Sequence, residues 1–213
     1  MLADVGNFQH AQSLRRCMDI FKLEHSKTAY RADFALYCTM VLTLAAFLVM
    51  YGPREQRADI ASFVLAGLVS WPAIEYTLHR FVLHGVQPFR RWHEEHHRRP
   101  KALIFTPTIL SASLITVLVF LPALLATDLW RACALSLGVL TGYLAYTITH
   151  HAVHHWHFDN TWLKKRKRWH ALHHHCIDQP GYYGVTSVFL DHMFGSFRRA
   201  DALKSADKDR HVY

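Results

Sequence analysis

The apolar positions of this chain are bunched into runs rather than spread evenly. Phe34 to Tyr51 (FALYCTMVLTLAAFLVMY) carries no charge, and Ile60 to Leu78 (IASFVLAGLVSWPAIEYTL) carries only Glu75. Ala102 to Thr127 is equally apolar but is interrupted by Pro107 and Pro122, so it reads either as one tilted helix or as a bent hairpin. Ala132 to Ile148 makes a fourth run. Each is about as long as a helix crossing the hydrocarbon core of a bilayer, roughly 17 to 25 residues. The pattern predicts an all-α, polytopic membrane protein of about four transmembrane helices. At 213 residues, with no Gly/Ser linker and no tandem repeat, it reads as a single domain.

Charge adds an orientation. Arg15, Arg16, Lys22, Lys27 and Arg31 precede the first run, Arg90, Arg91, Arg98, Arg99 and Lys101 lie between the second and third, and Lys164 to Arg168 (KKRKR) follow the fourth; the other side holds only Arg54, Arg57 and Arg131. Basic residues accumulate in short cytoplasmic loops, which predicts that both termini face the cytoplasm. The formal net charge of +8 is then accounted for by topology and attraction to anionic headgroups rather than by nucleic-acid binding. Residues 8 to 25 read as an interfacial amphipathic helix or a tail. The opening MLADVGNFQH lacks the features of a secretory signal, so insertion through the spans themselves is expected. Cys17, Cys38, Cys133 and Cys176 show no CxxC spacing and point to neither a disulfide framework nor a thiolate metal site.

The candidate chemistry lies in the histidines. Of 18, five fall within residues 79–97 and nine within 150–175, each cluster directly following an apolar run on the predicted cytoplasmic side. Protonated imidazoles crowded at a membrane surface repel one another, whereas a metal binds the neutral ring and depresses its pKa. His93, His96 and His97, and again His170, His173 and His174, stand at i, i+3, i+4, which shares one helix face. His150 and His154 are one turn apart; so are His151 and His155, which leaves a rival pair. His79 and His84, five residues apart, lie about 140° apart on an α-helix and are expected to serve different ions. Ten imidazoles exceed one coordination sphere and imply two ions in a cytoplasmic helical cap. His155, His157 and His175 remain as extra groups, expected either to hold ligating rings by hydrogen bonds or to sit on the surface. Imidazole suits iron, zinc, copper and nickel alike, and an apolar substrate beside the bilayer requires a strong oxidant, which iron with O2 supplies.

The ordered segments HRFVLH, WHEEHH, THHAVH and WHALHH, closed by GYYGVTSVFLDHMFG, resemble the fatty acid hydroxylase superfamily, which includes fatty acid 2-hydroxylases, C-4 sterol methyl oxidases and sterol desaturases. The resemblance covers roughly residues 60 to 198. It implies a membrane-bound non-haem di-iron oxygenase using O2 and external electrons, with metal ligands at His79, His84, His93, His96, His97, His150, His154, His170, His173 and His174. It also implies two iron ions, with zinc as an alternative occupant in purified protein, and a fatty-acyl lipid as substrate. Sterol or other lipid desaturation, or hydroxylation of a carotenoid or aminolipid, is the alternative. Glu75, one turn before His79, joins the candidate supporting groups. Glu94, Glu95 and Asp178 are expected to accept the second N–H of ligating rings, with His151, His155 and His175 as further supporting groups, and Asp191 to tie the C-terminal segment to the histidine core. Trp92, Trp169, Tyr182 and Tyr183 are expected in an aromatic belt or at the substrate entrance.

The sequence contains neither a haem-attachment CxxCH nor a GxGxxG, so an external ferredoxin or cytochrome b5 type donor with its reductase is expected, and KKRKR offers an acidic donor a docking surface. Lacking a cytochrome b5 segment and a terminal dilysine, the chain is expected in a bacterial inner membrane rather than the endoplasmic reticulum. A bis-histidine haem protein would instead carry its ligands within the spans, and a metal transporter would carry charges at the bilayer midplane.

Overall fold

A computed structural model describes residues 24–104, 106–157, 160–175 and 181–197. Helix α1 (Lys27–Tyr51) starts at Ser26, whose hydroxyl accepts the Ala29 N–H as an N-cap. A 3₁₀ turn (Arg54–Gln56) leads into α2 (Arg57–Thr77), which widens into a π-helical turn at Leu78–Leu83. Then come α3 (Phe89–Arg98), α4 (Thr108–Ile115), a second π turn (Thr116–Phe120), α5 (Leu121–Ala126), α6 (Leu129–His155), α7 (Thr161–His175) and α8 (Phe189–Met193). Asp128 caps α6 by accepting the Trp130 and Arg131 N–H groups. Among the described residues there is no strand, only an isolated bridge between Glu24 and Ile104. Residues 8 to 23 of the expected interfacial helix lie outside the described residues.

Four helical stretches are long and apolar enough to cross a membrane: Lys27–Tyr51, Arg54–Leu83, Thr108–Ala126 and Leu129–His155. The third is one continuous span and no hairpin. Residues 102–107 precede it, Pro107 stands at its start, and the π turn just before Pro122 absorbs the hydrogen bond that proline cannot donate. The fourth outlasts its apolar core and carries His150 to His155 on its last turn and a half.

Helix α6 is the axis of the bundle, with 67% of its apolar window buried against 11% for the first and third spans. Gly67 and Gly138 let α2 and α6 touch backbone to backbone: a Cβ at Gly138 would collide with the Val64 carbonyl, and one at Gly67 with the Leu135 carbonyl. Small residues at such crossings are the usual way helices pack in lipid. Tyr37, Trp71, Val139, Leu140 and Tyr143 form the core above that contact. Leu42, Val49, Val69, Ile109 and Leu125 point outward and are exposed, as a lipid-facing surface requires. Both histidine clusters gather at one end of the bundle, where α1 and α4 begin and α2 and α6 end.

Candidate dimetal site

The π turn changes what the spacing of His79 and His84 means. With i→i+5 backbone bonding, residues five apart return to nearly the same side, so both rings enter one group with His93, His97 and His173, stacked 5.4 Å centre to centre. The expectation that they serve different ions is thereby corrected. The five donor nitrogens of this group lie within 4.8 Å of one another. Nearest Nε2 separations are 2.9 Å for His79 and His93, 3.0 Å for His93 and His97, 3.1 Å for His97 and His173, and 3.2 Å for His84 and His173.

A second group joins His96, His154, His170 and His174, with Nε2 separations of 2.7 Å for His154 and His170 and 3.0 Å for His170 and His174. His150 stands beside it, its ring 4.8 Å from His96 and His154 and 4.9 Å from His170. His151 and His155 stack on each other at 4.6 Å away from both groups, with His151 Nδ1 against the Tyr30 hydroxyl at 3.1 Å. Each HxxHH motif is thus divided. On α3, His93 and His97 face the first group and His96 the second; on α7, His173 faces the first and His170 and His174 the second.

Ring tautomers show what the first group is built to hold. His79 Nδ1 donates to the Tyr183 carbonyl at 2.5 Å and His173 Nδ1 to the Gly181 carbonyl at 2.8 Å. A neutral imidazole has a single N–H, so the Nε2 atoms of His79 and His173 present bare lone pairs toward other imidazole nitrogens. Both ring nitrogens of His96 are buried without a hydrogen-bond partner among the described residues. Convergent lone pairs of this kind are unfavourable without a cation, and nitrogens about 2.1 Å from a shared ion sit about 3 Å apart at adjacent positions, close to the separations observed. The donor set therefore fits a pair of metal ions. Burial, reinforced by neighbouring imidazoles, holds His93, His170 and His173 well below the usual histidine range. His84 and His174 are lowered to about 4, again chiefly by burial.

Two buried carboxylates hold the backbone that orients these rings. Asp191 is fully buried and accepts the Tyr183 and Gly184 N–H groups at 2.9 Å each and the Ser196 hydroxyl at 2.6 Å. Glu75 accepts from the Val185 N–H, from the Thr186 N–H and hydroxyl, and from Trp71 Nε1 at 3.1 Å. Between them Tyr182 adopts a left-handed φ of 54°, an uncommon conformation for a residue with a side chain, and it turns the 181–183 carbonyls toward His173 and His79. Sequence reasoning did not find these carbonyls. The signals that point to this segment are the lone charge of Glu75 within an apolar run and Asp191, expected to tie the C-terminal segment to the histidine core.

Other expected supporting groups lie elsewhere. Glu94 pairs with Arg90 at 2.8 Å and Glu95 with Arg99 at 2.7 Å, so neither serves a histidine ring. An arginine one turn away on the exposed side is the nearer partner. His157 and His175 are exposed, and Asp178 lies outside the described residues. Tyr182 and Tyr183 are buried rather than set in a belt; Tyr183 contacts the His79, His84 and His173 rings, while Trp169 stacks on Tyr182. Trp92, Leu83, Ile104, Tyr143 and Tyr146 line a cavity of about 80 Å³ whose wall also includes His93, His96 and His150. This cavity therefore lies against both histidine groups.

Comparison with known proteins assigns the chain to a family. The fatty acid hydroxylase family model matches residues 64–196. The chain belongs to the fatty acid hydroxylase family. It is 38% identical over 149 residues to a dihydroceramide fatty acyl 2-hydroxylase of Arabidopsis thaliana, covering 65% of this chain and 61% of that one. It is 31% identical over 147 residues to a ceramide very long chain fatty acid hydroxylase of Schizosaccharomyces pombe, covering 63% of this chain and 42% of the relative. The alignments thus span about three fifths and two fifths of those proteins. Full-length scs7p, solved with only its hydroxylase domain visible, superposes with a TM-score of 0.68 over 82% of this chain and 67% of its own, at 22% identity. That likeness shows that the four-span helical fold is shared.

Proposed function

We propose that this family member, acting as a single domain, is a membrane-bound non-haem di-iron oxygenase that hydroxylates a fatty-acyl lipid. The observation that carries the reading is the convergence of neutral, lone-pair-bearing imidazoles from four helical segments against an aromatic cavity at the end of the membrane spans. The names of the relatives, a dihydroceramide fatty acyl 2-hydroxylase and a ceramide very long chain fatty acid hydroxylase, support this substrate class. In the reaction one atom of O2 enters a C–H bond of the acyl chain and the other leaves as water, consuming two electrons and two protons.

The ligands on this reading are His79, His84, His93, His97 and His173 for one ion, and His96, His150, His154, His170 and His174 for the other. Bound iron supplies the O2 activation that an unactivated C–H bond demands. The chain's own residues do the rest. The Tyr183 and Gly181 carbonyls fix the His79 and His173 tautomers, Glu75 and Asp191 hold those carbonyls, and the Leu83, Ile104, Tyr143 and Tyr146 side chains align the acyl chain and keep water away. Electrons come from a ferredoxin or cytochrome b5 type carrier. The histidine end faces the cytoplasm, in keeping with the basic residues flanking it, and a bacterial inner membrane is the proposed location.

The test is lipid mass spectrometry of cells producing the wild type or the His173→Ala, His174→Ala double variant, with a competent carrier supplied. Acyl chains heavier by one oxygen, in wild-type cells alone, are the expected result. Lipids lighter by two hydrogens would make it a desaturase, and identical lipids in both would overturn the oxygenase reading.

A further inference from the structure

Helix α8, five residues long, is far too short to cross a bilayer, but its two sides differ sharply. Phe189 and Met193 stand one turn apart on the same side and are 66% and 58% exposed; Phe194, just beyond them, is 58% exposed. Asp191 points the other way and is fully buried, accepting the Tyr183 and Gly184 N–H groups. His192, at the edge of the outer side, lies against the Phe197 ring at 4.5 Å. Large apolar groups exposed together mark a surface that another molecule covers.

The position of this surface says what covers it. Phe194 stacks on Tyr76 at 5.6 Å, and the Tyr76 hydroxyl donates to Ser196 Oγ at 3.2 Å. Tyr76 lies inside the apolar run Ile60 to Leu78, so the turn after α8 stands level with the last apolar turn of a membrane span rather than above it. Phe81, 55% exposed on the π turn, extends the surface. Between the two rings lies Arg80, its guanidinium carbon 5.7 Å from the Tyr76 centre and 5.2 Å from that of Phe81. An arginine laid over rings at the end of a span holds its charge at headgroup level. We propose that α8 and the turn after it are seated in the bilayer at its histidine end, with Phe189, Met193 and Phe194 reaching the acyl chains just below the headgroups, and that this seat braces Asp191 and the loop it holds. Amphipathic helices lie in this way with the apolar face roughly 5 to 10 Å into the boundary. The occupant is lipid because the surface continues the lipid-facing side of α2, at a depth that a water-borne protein does not reach. Neither the seat nor the brace depends on the oxygenase reading, since neither requires a metal or a reaction.

The experiment places the full wild-type chain in phosphatidylcholine nanodiscs that include a phosphatidylcholine with a diazirine on its acyl chain. After illumination, peptide mass spectra should show lipid adducts on Phe189, Met193 or Phe194 and on Phe81, and hydroxyl radicals generated in the water should label the same residues weakly. Strong hydroxyl-radical labelling without adducts would put α8 in water and overturn the seat. Protection from both reagents would mean that a second copy or another protein covers it, and overturns the seat equally. The brace is read by hydrogen exchange in a double variant of the two outward residues, Phe189→Glu, Met193→Glu. Exchange of the Tyr183 and Gly184 amides is expected to quicken at least about tenfold, while amides in the middle of α6 stay as in the wild type. Phe189→Leu, Met193→Leu should exchange like the wild type. Unchanged exchange at Tyr183 and Gly184 in the charged variant overturns the brace. Should that variant fail to insert, Phe189→Ser, Met193→Ser is read in the same way.

Discussion

His79 and His173 owe their orientation to main-chain oxygens rather than to neighbouring side chains, and those oxygens are held by Asp191 and Glu75. Outer contacts of this kind typically change metal affinity by 10- to 100-fold. Asp191→Asn and Glu75→Gln, which keep the volume but weaken the grip on the loop, should therefore leave the protein membrane-inserted while iron affinity drops by about tenfold or more, as read by metal content after dialysis against a competing chelator. Acid should act on the same rings. His84 and His174 titrate at about 4 in the folded chain, against about 6.5 when unfolded. Between those values the unfolded state binds more protons, so stability rises with pH. The stabilisation is complete above about pH 6.5 and is lost as pH falls through about 4, and the melting temperature of the metal-free protein should fall across that window. At this scale the sequence named the imidazoles, because HxxHH is legible as spacing. It was silent on the 181 and 183 carbonyls, because a main-chain acceptor has no residue type to betray it.

At the scale of elements, hydropathy located all four spans but missed their ends and their turns. The π turn at Leu78–Leu83 leaves no mark in periodicity, and α-helical spacing without it points His79 and His84 to different ions. The third span read as two alternatives, since nothing in a proline's neighbours says whether a π turn will absorb it. The α2–α6 crossing gives a direct check. Gly138→Ala drives a Cβ into the Val64 carbonyl and should destabilise by about 3 kcal/mol or abolish folding. Gly195→Ala, at φ 67° with open space around it, should cost only about 1 kcal/mol. Thermal denaturation in detergent distinguishes the two, and equal effects would mean that the helices do not touch where described.

Taken whole, the molecule is a lipid-embedded bundle closed at one end by a cap in which α3 and α7 are the principal cross-pieces. Composition and run length made the bundle legible; the cap was legible only as a crowd of histidines, since which ring faces which neighbour depends on how four segments converge. The division of each HxxHH between the two groups has a further consequence on the proposed reading. The π turn feeds only the first group and α6 only the second, but α3 and α7 serve both, each as a rigid rod. Occupying one position fixes the rods and so pays in advance part of the ordering entropy of the other. Loading should then be cooperative: native mass spectra during an iron titration should show empty and doubly filled protein with few singly filled molecules, and His154→Ala on α6 should depress retention of both ions rather than one.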